Sequence, residues 1–171
     1  MEEECMDKYF SACELVEMGI EVERNGKAFY GELKKLAENT QTADVLGYLA
    51  EQEDRHIAVF QGIFDNTCDH KGEGVYPDEY FAYIRALAGQ YVFTRKGMGK
   101  EIASGVGNIK EGVELGIRFE KDSILFYEEM KKYVPEKSGD VLEKLIAEEK
   151  GHLRELCDIK GRCFDEERKS V

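Results

Sequence analysis

The stretch LGYLAEQEDRHIAVFQGI, residues 46–63, decides the fold. At helical spacing one face carries Leu46, Leu49, Glu53, His56, Phe60 and Ile63, in steps of three and four. Such a stripe belongs against a core, yet its two middle positions hold a carboxylate and an imidazole. An unpartnered carboxylate in a packed interior costs several kcal/mol or takes up a proton, so the sequence calls for a partner. A metal ion satisfies Glu and His three residues apart most simply. A single E-x-x-H has a plainer explanation, an exposed salt-bridging Glu beside a surface His. What weakens that explanation is that the pattern recurs.

The second copy is LEKLIAEEKGHLRELCDI, residues 142–159, with the stripe Leu142, Leu145, Glu149, His152, Leu156 and Ile159. Each of these positions lies 96 residues beyond its counterpart, which marks an internal repeat. The helices preceding the two copies repeat as well. EMGIEVERNGKAFYGELKKL (17–36) aligns with ELGIRFEKDSILFYEEMKKY (114–133) at nine identical positions of twenty. The inner stripe of the first is Val16, Gly19, Glu23, Gly26, Tyr30, Leu33 and Ala37, and that of the second Val113, Gly116, Glu120, Ser123, Tyr127, Met130 and Val134. Each again sets one carboxylate in a face that should be dry. Gly26, one turn after Glu23, weakens a helix relative to Ala and is tolerable if space beside the carboxylate must stay open.

The chain has 171 residues, enough for one domain with a real core. Two prolines, no tryptophan and an abundance of Glu, Lys, Leu and Ala favour an all-helical protein. A net charge of −12 disfavours nucleic acid or an anionic membrane surface as partner; it suits solvation and is compatible with cation uptake. The acidic start MEEECMDKYF does not resemble a signal peptide, and no stretch has the length of a membrane span. Five cysteines without a C-x-x-C pair argue against a disulfide framework and against a rubredoxin or zinc-ribbon module, which suggests a reducing cytoplasm. Cys5 and Cys13 read as incidental, a metal role for Cys68 and His70 in a loop is weakly supported, and Cys157 and Cys163 diverge on one helix.

In chain order, Ser11 and Glu14 suit a capping box for a first helix reaching about Glu38. A short connection over 39–42, with Thr42 as cap, returns the second helix antiparallel, to end near Phe64. Residues 65–107 form a long crossover in which Pro77 opens an additional helix, DEYFAYIRALAGQYVF. Gly97, Gly99, Gly105 and Gly107 follow, but no strand precedes them as a phosphate cradle requires. Asn108 and Glu111 cap the third helix, which runs to about Val134. Pro135 breaks the chain, Asp140 and Glu143 cap the fourth helix, and DEERKSV is a frayed tail. The expected architecture is one domain over 1–171: an antiparallel four-helix bundle made of a repeated helix pair, 11–64 and 108–165, joined by one long crossover containing an extra helix.

Four carboxylates and two imidazoles then converge at one level: Glu23, Glu53, His56, Glu120, Glu149 and His152. Two neutral imidazoles and four carboxylates carry −4, which two divalent cations cancel. Oxygen-rich ligands with no thiolate favour iron or manganese over copper, with zinc an intruder. By symmetry Glu23 and His56 are terminal on one metal, Glu120 and His152 on the other, and Glu53 and Glu149 bridge. Tyr30 and Tyr127, two turns beyond Glu23 and Glu120, are candidates to hydrogen-bond the carboxylates and the candidate catalytic side chains. The plainer role for each is a core tyrosine with a satisfied hydroxyl.

With the E-x-x-small-x-x-Phe-Tyr motif at Glu23 to Tyr30 and Glu120 to Tyr127, and E-x-x-H at Glu53 to His56 and Glu149 to His152, the chain resembles the ferritin-like superfamily and, within it, the rubrerythrin-related proteins. The likeness spans nearly the whole chain. It implies a ferritin-like bundle holding two non-haem iron ions that react with hydrogen peroxide or dioxygen. Two departures stand out: rubrerythrins proper carry a further Glu where this chain has Ser123, and a rubredoxin-like domain for which this chain has no cysteine motif. A separate electron donor, such as a rubredoxin-like protein, is therefore expected, and a homodimer fits bundles of this kind. The alternative is a protein that binds, stores or senses iron without turnover, or a bundle the metal merely stabilises.

Overall fold

The structure, a computed structural model, describes residues 12–68 and 94–169, with side chains as far as Arg162. Helix α1 (Ala12–Leu33) ends in a single turn of 3-10 helix at Lys34–Leu36. Helix α2 spans Thr40–Cys68, the short α3 Met98–Gly105, α4 Ile109–Met130 and α5 Glu136–Lys169. α1 packs along α2 and α4 along α5, and the two pairs meet through α1 against α4 and α2 against α5. The result is a helical bundle, as the repeated stripes predict. Among the described residues no helix is long and apolar enough to cross a membrane.

Both stripes of every repeat face inward. Leu46, Leu49, Phe60 and Ile63 of α2 and Leu142, Leu145, Leu156 and Ile159 of α5 are all buried, as are Val16, Phe29 and Leu33 of α1 and Val113, Phe126 and Met130 of α4. The duplication extends to packing. A Cβ at Gly19 of α1 would stand 2.6 Å from the Phe60 ring of α2, and one at Gly116 of α4 would stand 3.2 Å from Leu156 of α5. A side chain at the same repeat position fills each gap, so the two helix pairs close to the same depth. Two T-shaped contacts, Phe29 with Tyr30 and Phe29 with Phe119, with centroids 5.3 and 5.1 Å apart, add directional packing beside the polar interior.

Several helix ends differ from expectation. Asn39, not Thr42, caps α2: its Oδ1 accepts from Thr42 N–H at 2.8 Å, and Thr42 itself is buried. The cap of α4 is Asn108, whose Oδ1 accepts from Glu111 N–H at 2.9 Å, while the Glu111 carboxylate reaches past the cap to Gly107 N–H at 3.0 Å. α5 starts at Glu136, a turn before the expected Asp140 cap. Pro135 supplies its preset φ and its carbonyl accepts from Ser138 and Gly139, so Asp140 lies inside the helix. α4 stops at Met130 rather than Val134, α2 continues past Phe64 to Cys68, and α5 continues through the expected tail to Lys169. The glycine-rich segment after Arg95 is helical as α3; only Gly97, at φ 80°, needs a left-handed conformation. α3 docks on α1 at Gly99, whose N–H donates to Asn25 Oδ1 at 3.1 Å, while Asn25 Nδ2 donates to the Arg95 carbonyl at 3.0 Å. The expected cap Ser11, the crossover helix after Pro77, His70 and Cys5 lie outside the described residues.

Cys13 and Cys68 correct two expectations, that Cys13 is incidental and that Cys68 lies in a loop: Cys68 closes α2. They form a disulfide, Cα atoms 5.6 Å apart, tying the start of α1 to the end of α2. The sequence concealed it because the partners are 55 residues apart, and only the antiparallel return of α2 brings them level.

Candidate metal centre

The six residues picked out by the repeat converge. Glu23 comes from α1, Glu53 and His56 from α2, Glu120 from α4, Glu149 and His152 from α5, and all six are buried, none more than 4% exposed. The helix periodicity that buries Leu49 and Phe60 carries Glu53 and His56 inward with them.

The imidazole Nδ1 atoms point at the carboxylates. His56 Nδ1 lies 2.9 Å from Glu149 Oε1, 3.4 Å from Glu23 Oε2 and 3.5 Å from Glu53 Oε2. His152 Nδ1 lies 2.9 Å from Glu149 Oε2, 3.5 Å from Glu53 Oε1 and 3.9 Å from Glu120 Oε1. Glu53 and Glu149 thus each turn one oxygen toward each histidine, whereas Glu23 neighbours only His56 and Glu120 only His152. The rings stack with centroids 5.3 Å apart and planes 19° from parallel.

The tyrosines reach across the bundle. Tyr127 of α4 donates to Glu23 Oε1 of α1 at 2.6 Å, and Tyr30 of α1 donates to Glu120 Oε1 of α4. Each hydroxyl serves the carboxylate of the other half, a reciprocity set by the duplicated helices facing one another; spacing along one helix could not reveal which carboxylate would be met. Burial first, and then the neighbouring carboxylates, keeps both phenols ionising well above their ordinary 10.0, so they act as hydrogen-bond donors. On the outer side, His56 Nε2–H donates to Glu148 Oε2 at 3.1 Å. Glu148 is a residue that stripe analysis passed over; its position immediately before Glu149 was the available signal.

Burial, followed by the charge of Glu53, lifts Glu23 from 4.5 to about 8. Burial, then Glu149 and Glu53, holds Glu120 well above the carboxylate range. Burial and the Glu149 charge oppose ionisation of Glu53, but the Glu23 carboxyl and both imidazoles beside it outweigh them and lower it. For His152, burial disfavours the charged ring, yet Glu149 and Glu53 prevail and raise it from 6.5 to about 9; His56 is raised too, by Glu149, Glu23 and Glu53 against burial. Protons stand where positive charge is required.

The donor set fits a metal. His56 Nδ1, His152 Nδ1 and both oxygens of Glu149 are buried without a hydrogen-bond partner. Such an atom costs about 1–3 kcal/mol, so four of them aimed at one space are intelligible only with a cation to share. One ligand atom from each of Glu53, His56, Glu149 and His152 falls within 4.8 Å of the others, a spacing at which one ion could be held. A cavity of about 10 Å³ adjoins it, lined among others by Glu23, Gly26, Glu53, Glu120, Ser123 and Glu149, with neither imidazole on its wall.

A family model described as Rubrerythrin matches residues 14–160. Among solved structures, a Thermotoga maritima protein provisionally described as a ferritin-like diiron-carboxylate protein is similar, with a TM-score of 0.65 and 25% identity over 89% of this chain and 95% of that one. No curated protein matches. The matched span runs from the first turn of α1 deep into α5 and takes in every member of the buried Glu/His group; the chain belongs to the rubrerythrin family, within the ferritin-like proteins.

Proposed function

We propose that this protein is a non-haem di-iron oxidoreductase of rubrerythrin type that reduces hydrogen peroxide or dioxygen. The observation that carries this reading is the quartet of orphaned ligand atoms on His56, His152 and Glu149. Glu23 and His56 would hold one ion and Glu120 and His152 the other. Glu53 and Glu149, each with one oxygen toward each histidine, would bridge. The −4 of four carboxylates matches two divalent cations, and the oxygen-rich set favours iron, with manganese or zinc able to compete. Bound there, the metals supply electrons and polarise the O–O bond.

The chain supplies the remainder. Tyr127 holds Oε1 of Glu23 and leaves Oε2 toward His56, while Tyr30 holds Oε1 of Glu120, the oxygen that also lies toward His152. Gly26 and Ser123, at corresponding positions of the repeat, keep a small cavity open on the carboxylate side, and Val22 and Phe119 wall it. Its volume is at the threshold for one water-sized species, so a larger oxidant enters only if Glu53 or Glu120 shifts. Protons that Glu23 and the imidazoles carry without metal leave when metal binds. Electrons for repeated turnover come from a separate donor protein.

Ser123 favours a second reading, iron binding without turnover, because a hydroxyl stands where rubrerythrins carry a further carboxylate ligand. Stopped-flow oxidation of the anaerobic, ferrous-loaded protein separates the two. Two irons per chain, fast oxidation by peroxide and repeated turnover with a reductant support the enzyme. Slow oxidation without turnover supports binding, and uptake of many irons per chain supports storage.

A further inference from the structure

The duplication is broken beside the histidines. Gln52 and Glu148 hold the same repeat position, each immediately before a bridging glutamate candidate, Glu53 or Glu149. Glu148, on α5, receives the outer N–H of His56 across the bundle. The corresponding partner of His152 would be Gln52, but the Gln52 amide oxygen accepts from Arg55 Nη1 at 3.4 Å, and among the described residues no hydrogen bond joins Gln52 to His152. Gln52, Glu148 and His152 line one surface concavity of about 550 Å³, so the two outer partners share surroundings and differ in chemistry.

From this asymmetry we infer that Glu148 is a positioning residue that makes the two metal positions unequal, the Glu23/His56 position binding its ion more tightly and filling first. The inference rests on the ligand set of the preceding section. A carboxylate that accepts from Nε2–H fixes the tautomer, so that Nδ1 presents its lone pair inward. It also locks the ring plane and increases the electron density the ring offers the metal. Removing such partners weakens metal affinity about 10- to 100-fold. Glu148 is 57% exposed on its side chain, and water competes for its oxygens, which places the effect at about tenfold. Among the described residues no carboxylate meets the outer nitrogen of His152, which leaves that ring with neither restraint.

The test is anaerobic titration of the full chain with Fe(II) by calorimetry, repeated with Co(II) followed by its visible absorption. Wild type should bind two ions in resolved steps, with the one-equivalent Co(II) spectrum distinct from the difference spectrum of the second. Glu148→Gln should weaken the tighter step about tenfold, leave the weaker one unchanged and merge the steps. Glu148→Asp should recover part of the separation, and Gln52→Glu should tighten the weaker step. Two ions bound with a separation indifferent to Glu148, or both steps weakened alike, would overturn this inference alone. A wild-type chain that does not take up two ions would overturn the ligand set, and this inference with it.

Discussion

Replacing Gly26 with Ala sets what the helix prefers against what the site requires. An interior Gly destabilises a helix by about 1 kcal/mol relative to Ala, so the backbone gains from the change. The new Cβ would lie 3.3 Å from Glu53 Cδ, 3.4 Å from Cγ and 3.6 Å from Oε1. Those contacts are tight, and Glu53 must yield by a few tenths of an ångström. Overpacking a full core costs about 1–3 kcal/mol, but here the methyl borders a cavity and meets a flexible side chain, which puts the cost near the lower bound. The two effects nearly cancel, and the thermal midpoint should stay within about 4 °C of wild type. Gly62→Ala on the exposed face of α2, where an added Cβ meets nothing within 4 Å, provides the control, with the helix gain and no change at the site. The cavity beside Gly26 measures only about 10 Å³, and a methyl group fills it. Oxidation of the ferrous-loaded protein by peroxide, followed by stopped flow, should therefore slow by about tenfold or more, equivalent to about 1.4 kcal/mol of barrier, with two irons still bound. An unchanged rate at full metal content would refute the claim that the oxidant enters on the Gly26 side.

The tyrosines, the protons and the disulfide give three more tests. Tyr127→Phe removes the 2.6 Å bond to Glu23 and leaves a buried oxygen unpaired, so the metal-free protein should lose about 1–3 kcal/mol in denaturant melts; Tyr30→Phe should do the same through Glu120, and a cost absent from both variants would remove their assigned role. Glu23, Glu120 and both histidines bind protons more tightly folded than unfolded, so the stability they lend is complete below their unfolded values and disappears as pH rises through the folded ones. For Glu23 that window runs from 4.5 to about 8 and for His152 from 6.5 to about 9, so metal-free protein should melt lower at pH 8 than at pH 5, by up to about 1.4 kcal/mol per pH unit per group. Glu53, lowered by its partners, opposes this only in acid below 4.5. Metal should flatten the profile, and a metal-free midpoint that climbs from pH 5 to pH 8 contradicts the account. Reduction of Cys13–Cys68, which spans 55 residues, should remove about 3–4 kcal/mol; equal melts with and without reductant would show that the bond contributes nothing.

The bundle and the convergence of its polar stripe were legible because helix periodicity is a local signal and the repeat states it twice. Glu53 cannot be buried with Leu49 and Phe60 unless it faces whatever they face, and the same holds for Glu149 between Leu145 and Leu156. Features that depend on which helices become neighbours were illegible. The exchange of Tyr30 and Tyr127, the disulfide and the Glu148–His56 bond each join residues 55 to 104 positions apart. Caps were misplaced where two candidates competed: Asn39 and Thr42 are three residues apart, and Asn39 makes the cap while Thr42 is committed to the core. At the start of α5 the proline that ends one segment also starts the next, so Asp140 had no cap to make.

Placing six ionisable side chains in one interior makes this fold depend on what fills the space between them. The imidazoles stack between the carboxylates, and four ligand atoms in that space have no hydrogen-bond partner. The apolar layers on both sides, Leu49 with Phe60 and Leu145 with Leu156, and the disulfide at one end hold the helices at that spacing regardless. Ligand spacing is thus set by the hydrophobic framework, before any ion arrives, and a cation inherits it. Binding to the folded chain and not to the unfolded one adds RT ln(1 + [L]/Kd), about 4 kcal/mol at a thousandfold excess over Kd. Four unpaired atoms at about 1–3 kcal/mol each cost about 4–12 kcal/mol, so a gain of that size offsets the lower end of the penalty.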